Sequence, residues 1–140
     1  MELGNTGTYT HVPNRAYTVS TREALSHCPG KEKVGEKTLE AKLRKAVEAR
    51  GGMALKLLSQ FHRGLPDRLI LMPGGHTYFA EIKTTGKKPT ILQLHCHETL
   101  RQLGFQVFVI DSSESLETAL ALINRAVIAE RIRREESGEL

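Results

Sequence analysis

Residues 64–83, GLPDRLILMPGGHTYFAEIK, restrict the fold more than any other stretch of this chain. Leu69, Ile70, Leu71 and Met72 form a short apolar run, and Thr77 to Lys83 form a second. Between them Pro73-Gly74-Gly75-His76 is turn chemistry, so the pattern predicts a β-hairpin. Asp67 enters its first strand and Glu81 closes its second, and a hairpin returns two such positions to each other within about one residue of register. Glu81 and Lys83, two apart, share a strand face. Two carboxylates and an ammonium therefore gather at one end of a ribbon. Such a cluster costs solvation energy and adds little to a core. Carboxylates gathered in this way suit a hard divalent cation, Mg2+ or Mn2+.

The flanking sequence supplies helices for such a ribbon to pack against. Residues 36–50 predict a helix with Leu39, Leu43, Ala46 and Val47 as its apolar stripe, ended by Gly51-Gly52. Glu36 falls within that stripe and Glu40 at its edge; Glu36, in the first turn, is also favoured there by the helix dipole. Residues 53–59 predict a strand and 60–66 a loop. After the hairpin, TTGKKP (84–89) is a basic loop. A helix over 91–103 follows, with Thr90 and Gln93 at capping-box spacing. Leu92, Cys96, Thr99, Leu100 and Leu103 are expected on its buried face, with Gln93, His97 and Arg101 as a polar stripe beside it. FQVFVI (105–110) reads as a strand apolar enough to be internal. Asp111-Ser112-Ser113 offers N-caps for a last helix over 114–136, and the charged tail RIRREESGEL is expected to fray. A mixed sheet with helices on its faces follows from this order, an α/β fold.

Charge is uneven. The whole chain carries a formal +4, whereas residues 31–63 carry nine basic and four acidic side chains. A mildly basic chain with this concentration beside the hairpin permits a polyanionic partner. Two cysteines, Cys28 and Cys96, are too few for a disulfide framework, so reduced thiols and a cytoplasmic setting are expected. No run of about 18 apolar residues predicts a membrane span. The opening MELGNTGTYTHVPN lacks the pattern of a signal peptide. Residues 1–30 show no period and read as an irregular arm, 31–136 as the domain and 137–140 as a tail. His95, Cys96 and His97 invite a zinc reading, but neighbours on a helix diverge by about 100° and cannot all face one ion.

Pro66-Asp67 followed by Glu81-Ile82-Lys83 resembles the PD-(D/E)xK nuclease superfamily, whose motif sits on the second and third strands. GLPDRLILMPGG, FAEIKTTGKKPT, then Gln93, His97, Leu100 and Gly104-Phe105, with Glu40 and Arg50-Gly51-Gly52 upstream, look like its VRR-NUC branch. Small members of that branch are typically phage or prophage proteins. The resemblance spans about residues 36–113. It implies a restriction-endonuclease-like αβββαβ core, here with a C-terminal helix, and a metal-dependent DNA endonuclease. By the same resemblance Asp67, Glu81, the Ile82 carbonyl and Glu40 bind the metal, Mg2+ or Mn2+. Lys83 orients or deprotonates the attacking water or steadies phosphate charge, and Gln93 reaches the site from the next helix.

Lys42, Lys45, Arg63, Lys87, Lys88, His97 and Arg101 are the candidates for DNA contact. Without chemistry the same surface would make a nucleic-acid-binding module, but a pure binder has no need of clustered carboxylates that repel phosphate. A domain with one cluster makes one cut, so cutting both strands takes two subunits, most simply a two-fold homodimer. That arrangement suits branched DNA such as a four-way (Holliday) junction, with nicking or nonspecific duplex cleavage as alternatives. The arm and the last helix, through Leu116, Leu120, Ile123, Val127 and Ile128, are the elements expected to build a subunit contact.

Overall fold

The computed structural model describes residues 33–139. The expectations for the arm, including its share in a subunit contact and Cys28, fall outside them. The elements are α1 (Glu36–Glu48), β1 (Met53–Lys56), β2 (Arg68–Met72), β3 (His76–Ile82), α2 (Ile91–Gln102), β4 (Gln106–Ile110) and α3 (Ser113–Ser137). This is the expected α-β-β-β-α-β order with a helix added.

The strands lie in the order β1-β2-β3-β4. The first three are antiparallel neighbours, and β4 joins β3 in parallel after the crossover through α2. The β2–β3 turn closes with Met72 opposite His76, and Gly74 and Gly75 take φ of +84° and +78°, which a side chain would strain.

One sheet face carries Ile70, Met72, Tyr78, Ala80, Ile82 and Ile110, all buried. They meet Leu39, Leu43 and Val47 of α1 and Leu116, Ala119 and Ile123 of α3. The spacing of four along α1 sets its three side chains on one stripe. Full burial of an aliphatic side chain of this size contributes roughly 1.5–3 kcal/mol. The other face, which holds Glu81, is covered at the β4 end by α2. No helix among the described residues is long and apolar enough to cross a membrane.

Five local expectations need correction. β1 ends at Lys56, because the chain leaves the ladder after Leu57 donates to the Asp67 carbonyl (2.8 Å). Among the described residues β4 is an edge strand, and its apolar sequence reflects cover by α2 on one face and α3 on the other. The apolar stripe of α3 is largely spent on its own core: Leu116 and Ile123 are buried, and Leu120 and Val127 pack against them. The tail stays helical to Ser137, held by ion pairs of Arg133 and Arg134 with Glu130 and of Arg131 with Glu135, and closed by Gly138. Finally, α2 turns its polar stripe inward. His97 is its buried residue, while Leu92, Thr99 and Leu103 are exposed.

Candidate active site

Strand register assembles the site. Arg68 pairs with Ala80, so one further step sets Asp67 opposite Glu81. Beyond the ladder Asp67 is fastened by its side chain: Oδ2 accepts the Ile82 N–H at 3.0 Å. Lys83 is held by its backbone, whose N–H donates to the Ile110 carbonyl (2.9 Å), and its Nζ reaches Glu81 Oε1 at 2.7 Å.

The third group comes from the start of α2. Thr90 and Gln93 form the expected capping box: the Thr90 hydroxyl accepts the Gln93 N–H, and Gln93 Oε1 accepts the Thr90 N–H. That use of Oε1 points the other end of the amide at the sheet, where Nε2 donates to Glu81 Oε1 at 2.6 Å. The loop before Asp67 lies tight against this helix start. A Cβ at Gly64 would come within 2.6 Å of the Leu92 carbonyl oxygen, so only glycine allows the approach. Replacing Gln93 with Leu is expected to lower cleavage by about 10–100-fold, with the fold intact in circular dichroism, since groups that orient a site's carboxylate by a hydrogen bond carry effects of that size.

Glu81 is fully buried, yet its two oxygens are unequally served. Oε1 has both Lys83 and Gln93, whereas Oε2 has no hydrogen-bond partner. Nε2 of His97, also fully buried, lies 3.8 Å from it. Burial pushes the Glu81 carboxyl above its ordinary range; Lys83 pulls it down and the charge of Asp67 pushes it up again. Burial, helped by the charges of Arg101 and Lys83, lowers the His97 imidazole, favouring the neutral ring.

Other expected site residues lie apart. Glu40 pairs with Arg68 at 2.9 Å. Glu36 is exposed and accepts both the N–H and the hydroxyl of Thr84, tying α1 to the loop after Lys83. Arg63, Lys87 and Lys88 are exposed on the loops that enter and leave the site, and Lys42 and Lys45 on the outer side of α1. Arg101 is exposed but donates to the Val107 carbonyl at 3.2 Å. His97 faces Glu81, not an open surface, and a buried ring makes no direct contact with DNA. Its place was readable: Gln93 and His97 are one helical turn apart, so a site that takes one takes the other. His95 is exposed, Cys96 half-buried and His97 buried, which leaves no shared zinc position.

The donor set fits a hard cation. Asp67 and Glu81 offer oxygen ligands, and the orphaned Oε2 is a buried acceptor that a cation would satisfy. Among the described residues no three His, Cys, Asp or Glu side chains gather closely enough to hold an ion. Mg2+, which keeps several waters, needs few protein ligands.

No family model matches the chain. A phage protein described as "Putative nuclease p44", from Acyrthosiphon pisum secondary endosymbiont phage 1, is 42% identical over 91 residues, 65% of this chain and 97% of that protein. A solved structure described as a VRR_NUC domain superposes with a TM-score of 0.59 at 32% identity, covering 61% of this chain and 94% of the other. The fold is thus restriction-endonuclease-like. With Asp67 just before β2, Glu81 on β3 and Lys83 just after it brought together, the chain belongs to the VRR-NUC family of PD-(D/E)xK nucleases, of the kind found in phage.

Proposed function

We propose that this protein is a Mg2+- or Mn2+-dependent endodeoxyribonuclease that works as a homodimer on branched DNA, four-way junctions above all, in the cytoplasm of the cell that houses it. The observation that carries the reading is the buried Glu81 carboxylate, held by Lys83 and Gln93 on one oxygen and without a partner on the other, beside Asp67. Asp67 and Glu81 hold the cation, with the Ile82 carbonyl as a further ligand. The cation, when bound, polarises the phosphodiester and acidifies water. Lys83 orients the attacking water or takes its proton, and its charge faces the phosphate. Gln93 keeps Glu81 from rotating. Glu40, paired with Arg68, acts through water or through that arginine.

Arg63, Lys87 and Lys88 flank this cluster and receive the DNA backbone. Replacing Lys87 and Lys88 together with Ala is expected to flatten the salt dependence of binding by about 1.8 log units per tenfold salt, roughly 0.9 for each lost phosphate contact. Fluorescence anisotropy at several salt concentrations reads this directly. An unchanged slope would return both lysines to the solvated surface.

The homodimer reading draws support from the sheet face that holds Glu81. Its β1–β2 end exposes Met53, Leu55 and Leu71, an apolar surface α2 does not reach. Two copies give two matched cuts, which resolution of a four-way junction requires. The test is a panel of end-labelled linear, flap and four-way substrates with Mg2+ or Mn2+, together with light scattering. Paired cuts on the four-way substrate by a dimer are expected. A monomer that prefers linear duplex would make the protein a nonspecific nuclease instead.

A further inference from the structure

Glu81 and His97 present an unfinished contact. Glu81 Oε2 and His97 Nε2 are both fully buried, both without a partner, and 3.8 Å apart, about half an ångström beyond a hydrogen bond. Buried polar atoms are rarely left unpaired, because each orphan costs roughly 1–3 kcal/mol. His97 Nδ1 also has no partner. The ring proton therefore gains nothing on Nδ1, while on Nε2 it lies beside a carboxylate oxygen 3.8 Å away.

Lone-pair accounting gives this contact a consequence. A carboxylate offers about four acceptor sites, two on each oxygen. Lys83 and Gln93 fill the pair on Oε1. Oε2 retains two. If His97 takes one, a single site remains for the cation, and Glu81 is a one-oxygen ligand held at three points. Mg2+ and Mn2+ accept such a ligand in an octahedron, whereas Ca2+ prefers more oxygens and often takes a carboxylate through both.

Resting on the reading that Asp67 and Glu81 hold a divalent cation, we propose that His97 is a positioning residue that donates Nε2–H to Glu81 Oε2, locks the carboxylate in the one-oxygen ligation that Lys83 and Gln93 impose by filling Oε1, and so selects Mg2+ or Mn2+ over Ca2+. His97 does not touch DNA or the cation; it acts through Glu81.

The test compares His97→Gln with His97→Asn in the full chain. The Gln amide nitrogen falls where Nε2 stands, and the shorter Asn amide falls where Nδ1 stands, at equal polarity. Mn2+ affinity is read by electron paramagnetic resonance of the free ion, and Ca2+ is titrated as competitor. His97→Gln is expected to stay within about threefold of wild type, and His97→Asn to lose about 10–100-fold in Mn2+ affinity with less loss for Ca2+. Equal behaviour of the two variants would overturn the proposal, as would an unchanged Mn2+-to-Ca2+ ratio in His97→Asn. A second measurement needs no variant. The 15N imidazole spectrum of the wild-type protein should show a neutral ring protonated on Nε2, and protonation on Nδ1 would overturn the proposal. If wild type binds no Mn2+ at all, the metal reading of the site fails, a result distinct from wild-type binding that both variants retain.

Discussion

Asp67→Asn, Glu81→Gln and Lys83→Met are each expected to lower cleavage by about 10³-fold while leaving a folded protein that still binds DNA, because fixed charge in a water-poor site carries effects of that size. The three act differently. Asp67→Asn keeps the shape but offers its amide where a carboxylate oxygen accepts the Ile82 N–H or faces Glu81. Lys83→Met removes the cation that sits 2.7 Å from Glu81. Glu81→Gln is the most informative because activity and stability should part. The folded carboxyl titrates above its ordinary range, chiefly through burial. Folding is thus favoured most where Glu81 is protonated, below the ordinary carboxylate pKa, and that advantage is lost as pH rises through the raised value. In EDTA near neutral pH, Glu81→Gln should melt no lower than wild type, and the gap should narrow toward pH 4. Single-turnover cleavage and thermal melts across pH check both halves. A folded Glu81→Gln protein that cuts at the wild-type rate would refute the site assignment.

Removal of divalent cations with EDTA should reduce cleavage to background, and Mg2+ or Mn2+ should restore it. Ca2+ should support DNA binding with little turnover, since its longer, variable coordination places water poorly. The same cations should raise the melting temperature of wild type, because a ligand that binds only the folded chain stabilises it by RT ln(1 + [L]/Kd). Glu81→Gln should lose that rise. The two readouts separate an ion held by the protein from one carried in by DNA. Full activity in EDTA would rule out the metal mechanism.

How much could be read beforehand differed from element to element. The hairpin was legible because its turn chemistry and the two short apolar runs beside it agree, and they placed Asp67 opposite Glu81. The capping box at Thr90 was legible from spacing alone, as was the core stripe of α1. The orientation of α2 was not. Its leucines suggested a greasy inner face, yet the helix lies over a carboxylate and turns Gln93 and His97 to it. Helical periodicity reports which residues share a face, not what that face meets. The edge position of β4 was hidden for a related reason: cover on both faces makes an edge strand as apolar as an internal one. Glu40 fell at the border of its stripe, where a small rotation of α1 decides its neighbour, and Arg68 claims it.

The register that sets Asp67 against Glu81 also bears on which length changes the lineage can survive. Side chains alternate along β3, so one residue gained or lost within the strand would swing Glu81 into the layer of Leu39 and Ile123 and present its neighbour to the site beside Asp67 instead. Two residues would restore the face but slide Glu81 along the ribbon by about 6.6 Å, out of reach of Gln93. Odd changes damage folding and chemistry together, and even ones damage chemistry alone. Heritable variation in length should therefore accumulate in the exposed 58–62 stretch and be purged between Asp67 and Glu81, where a count of residues is itself a functional trait.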